Sequence, residues 1–196
     1  MQASTSEPLL ILGEPGAGHE VAARALHAVD TPRVALPGGA RLAANPLALL
    51  EEARDGTLHC SEIGQYAKGE LRGLAFLLPK FDKANVTLVC TSTEPLGNMA
   101  AEGKFDAALL AALSVGAVLL PPLRARREDI PALIERFWHK VVTQERNVQN
   151  TPARGLTTLH PAAMNLLAGA YWPGNLDHLQ SVVANLALFA GSGDIT

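Results

Sequence analysis

Gly13, Glu14, Pro15, Gly16, Ala17, Gly18, His19 and Glu20 have the spacing of a phosphate-binding loop, G-x-x-x-x-G-K-[ST], with His19 at the lysine position. In such a loop the backbone N–H groups cradle phosphate oxygens, and the lysine ammonium neutralises the outer ones. An imidazole offers one donor and little charge near neutral pH, and it reaches less far than lysine. His19 therefore reads as a solvated loop residue rather than a phosphate ligand. The apolar run Thr57–Cys60 ends in Ser61-Glu62-Ile63-Gly64.

The surrounding pattern supplies the elements such a loop needs. Leu9–Leu12 reads as a buried strand, and Val21, Ala22, Ala25, Leu26 and Val29 recur at helical spacing after the glycines. Further strands are expected at Arg33–Leu36, Thr57–Cys60, Val86–Thr91 and Ala117–Leu120. Helices are expected at Pro46–Arg54, Glu70–Phe81 and Phe105–Leu113. This alternation predicts a parallel sheet with helices on both faces, a three-layer α/β arrangement over residues 1–122. From residue 123 to 196 only helical patterns occur, at Ile130–Gln144, Pro161–Ala170 and Asn175–Ala190, which predicts a small all-helical domain. A loop is expected at Asn147–Thr157, and Asn175 is expected to cap the last helix.

Composition narrows the function classes. The 196 residues are 48% apolar and 18% charged, a globular balance, and a net charge of −3 leaves no electrostatic footprint for nucleic acid. No apolar run has the length of a membrane span, and Cys60 and Cys90 do not form a disulfide framework, so a cytoplasmic protein is expected. His139, His160 and His178 lack metal-ligand spacing, and no metal site is expected. Arg124, Arg126 and Arg127 read as hinge residues paired with Glu128 and Asp129.

Four segments, GEPGAGHE (13–20), DGTLHCSEIG (55–64), PPLRARREDIP (121–131) and WPGNLDHL (172–179), occur in an order that resembles the central AAA+ domain of bacterial enhancer-binding proteins, the activators of sigma-54 RNA polymerase. Within that family the chain looks most like a degenerate response regulator of the nitrogen-regulation (NtrX) type. The resemblance implies a P-loop AAA+ fold with a helical lid. It also implies a receiver before these residues and a helix-turn-helix after them, so the end at Gly193–Thr196 reads as truncation.

Set against the family, the chemistry is depleted. The family's magnesium-holding Asp is Ser61, next to a vestigial Glu62, and the phosphate-sensing Thr-Asn pair is Ser92-Thr93. The two arginine fingers align with Asp106 and Ala112, and the phosphate-contacting lid arginine aligns with Asp177. The loop bearing GAFTGA, which contacts sigma-54, is absent between Glu20 and Ser61, where Leu36–Ala40 reads as a tight turn. The resemblance thus implies a pseudo-ATPase module that links receiver and DNA-binding domains and self-associates. It would need no cofactor, bind ATP or ADP weakly at best, hold no magnesium, and contact neither nucleic acid, membrane nor sigma-54 directly. The alternative is a switch domain that binds ATP or ADP without hydrolysing it.

Overall fold

A computed structural model describes residues 7–27, 30–149 and 159–190. The expected Val29, most of the Asn147–Thr157 loop and the Gly193–Thr196 terminus lie outside these residues. The chain forms two compact units, Met1–Glu14 with Gly18–Leu120, and Pro15–Ala17 with Pro121–Thr196.

The first unit is built on five parallel strands, β1 (Leu9–Gly13), β2 (Arg33–Leu36), β3 (Thr57–Cys60), β4 (Thr87–Ser92) and β5 (Gly116–Leu120), in the order β2-β3-β4-β1-β5. Leu10 pairs with Cys90 on one side and Ala117 on the other, and Leu58 pairs with Val34 and Leu88. The helices of this unit are α1 (His19–Ala25), α2 (Ala40–Ala44), α3 (Pro46–Glu52), α4 (Lys68–Leu77), α5 (Phe81–Ala84), α6 (Leu96–Ala101) and α7 (Ala107–Leu113). Connections between parallel strands must cross over, so helices fall between them and the central strands are covered. β3 is buried at every position, as are Leu88, Val89 and Cys90 in β4. One core gathers Leu10, Leu36, Leu58, Leu74, Leu88 and Leu113, and a smaller cluster joins Ile11, Ala23 and Val89.

Local chemistry sets the helix boundaries. Asn45 caps α3 by accepting from Ala48 N–H at 3.2 Å, with Pro46 at the first helical position. Glu70 reaches back to Ala67 N–H at 2.7 Å to start α4. The expected Glu70–Phe81 helix is instead α4, a 3-10 turn through Pro79, and α5, because proline cannot continue the bonding pattern. α2 and α6 were not expected from the sequence. Both are one-turn elements too short to show periodicity. α2 begins at Ala40, the last residue of the expected turn.

β5 is partly exposed along its length. Val118 is 46% exposed and Leu119 73% exposed, because this strand is the sheet edge. α1 also ends sooner than its apolar spacing implies, and Val21 and Leu26 are exposed while Ala23 is buried. Cys60 and Cys90 are buried free thiols, and the contact between them, with burial, raises the Cys90 pKa.

The second unit contains α8 (Ile130–Gln149), α9 (Pro161–Gly169) and α10 (Asn175–Ala190). Its core joins Leu123, Ile130, Ile134, Trp138, Trp172, Leu179 and Val183. Residues 147–149, expected in the loop, continue α8. Leu166 is 77% exposed, whereas its neighbour Leu167 packs on the core. Among the described residues no helix is long and apolar enough to cross a membrane.

Candidate functional site

β1 delivers the chain into the glycine loop, and Gly16 and Gly18 take positive φ of 74° and 106°. This conformation turns the strand into α1 without a side-chain cap. His19 opens α1, yet it is 6% exposed and its Nε2 has no hydrogen-bond partner. A Cβ on Gly13 would stand 2.9 Å from that Nε2, so the ring lies folded against the end of β1. His19 is therefore buried, not solvated as its loop setting suggested. An imidazole is flat and apolar enough to pack on backbone where an ammonium would have to seek water.

The middle of the loop, Pro15–Ala17, belongs to the helical unit. Asn175 Nδ2 donates to Pro15 O at 2.9 Å, Leu176 N–H donates to Gly16 O at 2.9 Å, and Arg126 donates to Ala17 O at 2.7 Å. Asn175 Oδ1 also accepts from Leu123 N–H at 2.7 Å. Asn175 is fully buried at φ 50°, and these bonds offset the strain of a left-handed residue. It bridges the segments around Leu123 and Pro15. Arg126 is likewise a loop tether, not a surface partner of Glu128 or Asp129. Both roles were missed because they depend on contacts across more than 50 residues. Asp177, in the first turn of α10, brings a carboxylate oxygen to 3.3 Å from where a Gly16 Cβ would stand.

Glu62 follows β3 in a left-handed conformation, φ 53° and ψ 53°. Its carboxylate accepts from Thr93 N–H at 2.9 Å and Thr93 Oγ1 at 2.7 Å, and its own N–H donates to Thr91 Oγ1 at 3.1 Å. The end of β4 thus pins one oxygen of the only acid at the end of β3. Ser92 serves the adjacent turn, accepting from Glu94 N–H at 3.1 Å.

Ser61 Oγ donates to Glu20 Oε1 at 2.7 Å. Beneath them His59 is fully buried, with Nδ1 accepting from Arg33 at 3.0 Å and Nε2 facing Ser61 Oγ at 3.5 Å and Glu20 Oε1 at 3.7 Å. Burial pushes the His59 pKa down, Glu20 opposes that, and Arg33 and Arg24 reinforce it.

Of the positions aligned with arginine fingers, Asp106 caps α7 by accepting from Leu109 N–H at 2.8 Å, and Ala112 is exposed. The site residues expected from sequence therefore divide between two neighbourhoods. Gly13, Glu14, Gly18, His19, Glu20, Ser61, Glu62 and Thr93 lie in the α/β unit, and Pro15, Gly16, Ala17 and Asp177 in the helical unit. No group of three or more His, Cys, Asp or Glu side chains able to hold a metal occurs among the described residues.

Residues 2–123 match the sigma-54 interaction domain family, and residues 124–196 match an AAA+ ATPase lid domain. The chain is similar to the Nif-specific regulatory protein of Herbaspirillum seropedicae, 30% identical over 94% of this chain and 39% of that protein. It is also similar to crystal structures of NtrX from Brucella abortus. The complex with ATP has a TM-score of 0.79 at 29% identity, covering 98% of this chain and 49% of that one. The complex with ADP has a TM-score of 0.78 at 29% identity, covering 99% and 48%. The chain thus spans less than half the length of these relatives.

Proposed function

Because the chain belongs to the sigma-54 interaction domain family, we propose that it is the AAA+ module of a transcription regulator in which ATP hydrolysis has been lost. It works as a cytoplasmic linker and self-association element between a receiver and a helix-turn-helix domain. The observation that carries this reading is His19. The residue that should meet the outer phosphates is buried against Gly13 with no polar partner. Asp106 and Ala112 at the finger positions point the same way, since an arginine finger supplies about 10³–10⁵ in rate. Regulation would then run through DNA occupancy and association rather than remodelling of polymerase.

A second reading, a nucleotide-binding switch without hydrolysis, draws support from the NtrX structures, which were solved with ATP and with ADP. The glycines at 13, 16 and 18 are retained, and loop N–H groups alone can receive phosphate. In that case nucleotide would shift the population between domain arrangements.

Promoter opening by sigma-54 polymerase tests the proposal. With this module in a regulator carrying its native flanking domains, addition of ATP and Mg²⁺ is expected to give no open complex above the polymerase alone. ATP-dependent opening would overturn the reading.

A further inference from the structure

The α/β unit holds a pocket of about 160 Å³ whose charge runs against the net −3 of the chain. Lys68, Leu71 and Arg72 of α4 line it together with residues 103–106, which lead into α7. Leu71 and Phe105 are buried and form its apolar part. The charged lining is three cations, Lys68, Arg72 and Lys104, against one carboxylate, Asp106.

Lys68 and Arg72 lie four residues apart on α4 and so share one helix face. Like charges at that spacing repel each other. Among the described residues no hydrogen bond or ion pair engages either side chain. The acids nearest in sequence are committed elsewhere. Glu70 lies against Gly39 and accepts from Ala67 N–H at 2.7 Å, and Glu102 pairs with Lys104 at 2.6 Å. Asp106 Oδ1 accepts from Leu109 N–H at 2.8 Å. The Lys68–Arg72 pair is thus left beside a cavity with no protein group to answer its charge.

The group that answers it is a compact oxyanion. A guanidinium presents a planar fork that binds two phosphate oxygens at once, and an ammonium adds a point charge. A dianion gains from both cations at the same time, which a monovalent ion cannot match. The volume suits one phosphate group with a small substituent, well below the roughly 300–1,000 Å³ of pockets that take drug-sized ligands.

We propose that Lys68, Arg72 and Lys104 form a binding site for a phosphate dianion, free or as a small monoester. The site shares no residue with the glycine loop, and none of its cations stands at a finger position. It therefore does not depend on whether hydrolysis has been lost.

The test titrates inorganic phosphate into the 196-residue chain at constant ionic strength and follows amide chemical shifts. The expected result is a saturable response at residues 68–72 and 103–106, displaced by sulfate and not by chloride. Arg72→Ala weakens binding about tenfold or more. Arg72→Lys recovers part of the loss, because the charge returns without the fork. Asp106→Asn keeps a capping side chain and removes the opposing charge, so it tightens binding about threefold. Lys83→Ala removes an exposed cation of α5 outside the pocket and leaves the affinity as it was. Glycerol phosphate run beside inorganic phosphate separates the two sources, since the tighter of the two identifies an ester or the free ion. Three results would overturn the proposal: a response confined to residues 13–20, one spread over surface lysines without saturation, or equal affinity in the natural chain and Arg72→Ala. Nucleotide is absent throughout, so failure here leaves the reading of hydrolysis untouched.

Discussion

Replacing Asp177 by arginine is expected to tighten ATP binding by about tenfold to a hundredfold, measured by calorimetric titration of the natural and variant chains side by side. The effect is electrostatic. Asp177 places a carboxylate oxygen beside Gly16, in the middle of the loop, 3.3 Å from the position of an absent Cβ. A polyphosphate received by the loop N–H groups would meet that negative charge at short range. The substitution removes one repulsion and adds one attraction, two unit charges of change. Exposure to solvent limits each to a fraction of its value in a dry interior. Affinity unchanged in the arginine variant would mean that the carboxylate does not control the loop.

Trp172→Ala is expected to destabilise the helical unit by about 3–5 kcal/mol, read as a shift of the urea unfolding transition. Trp172 is 3% exposed and lies in the core with Leu123, Ile134 and Leu179. Its indole N–H donates to Leu167 O at 3.0 Å, and its ring meets His178 edge-on at a centroid distance of 5.1 Å. Truncation would open a cavity and leave the Leu167 carbonyl without this partner, so both penalties act together. Trp138, the other tryptophan, is 3% exposed in the same cluster and remains as the fluorescent reporter. Leu166→Ala provides the contrast. That side chain is 77% exposed, and its loss should stay within about 0.5 kcal/mol. Comparable losses in the two variants would contradict the placement of the core.

The strands and the long helices were legible because their signals are local. Arg33–Leu36 and Thr57–Cys60 are apolar runs with turn residues at their ends, and they form strands over those same residues. The last helix begins at Asn175, directly after the Pro-Gly turn. What escaped depends on partners distant in sequence. The exposure of Val118 and Leu119 follows from strand order, which an apolar run does not encode. Asn175 looked like a cap because capping is the common local use of asparagine. Its bonds to Leu123 and Pro15 join residues far apart in sequence. The site was partly legible. The loop, Ser61-Glu62 and Thr93 could be found by order, and Asp177 by its place after Trp-Pro-Gly-Asn. The burial of His19 and the pairing of Glu20 with Ser61 could not, since one needs the packing around Gly13 and the other joins residues 41 positions apart.

Phosphate release from ATP with Mg²⁺, at chain concentrations high enough for self-association, distinguishes a lost from a working hydrolysis when compared between the natural chain and Glu62→Gln. The same background rate is expected for both, because Thr93 holds the Glu62 carboxylate, His19 stands at the loop's lysine position, and Asp106 and Ala112 stand at the finger positions. A saturable rate in the natural chain that Glu62→Gln removes would show a working ATPase and contradict it.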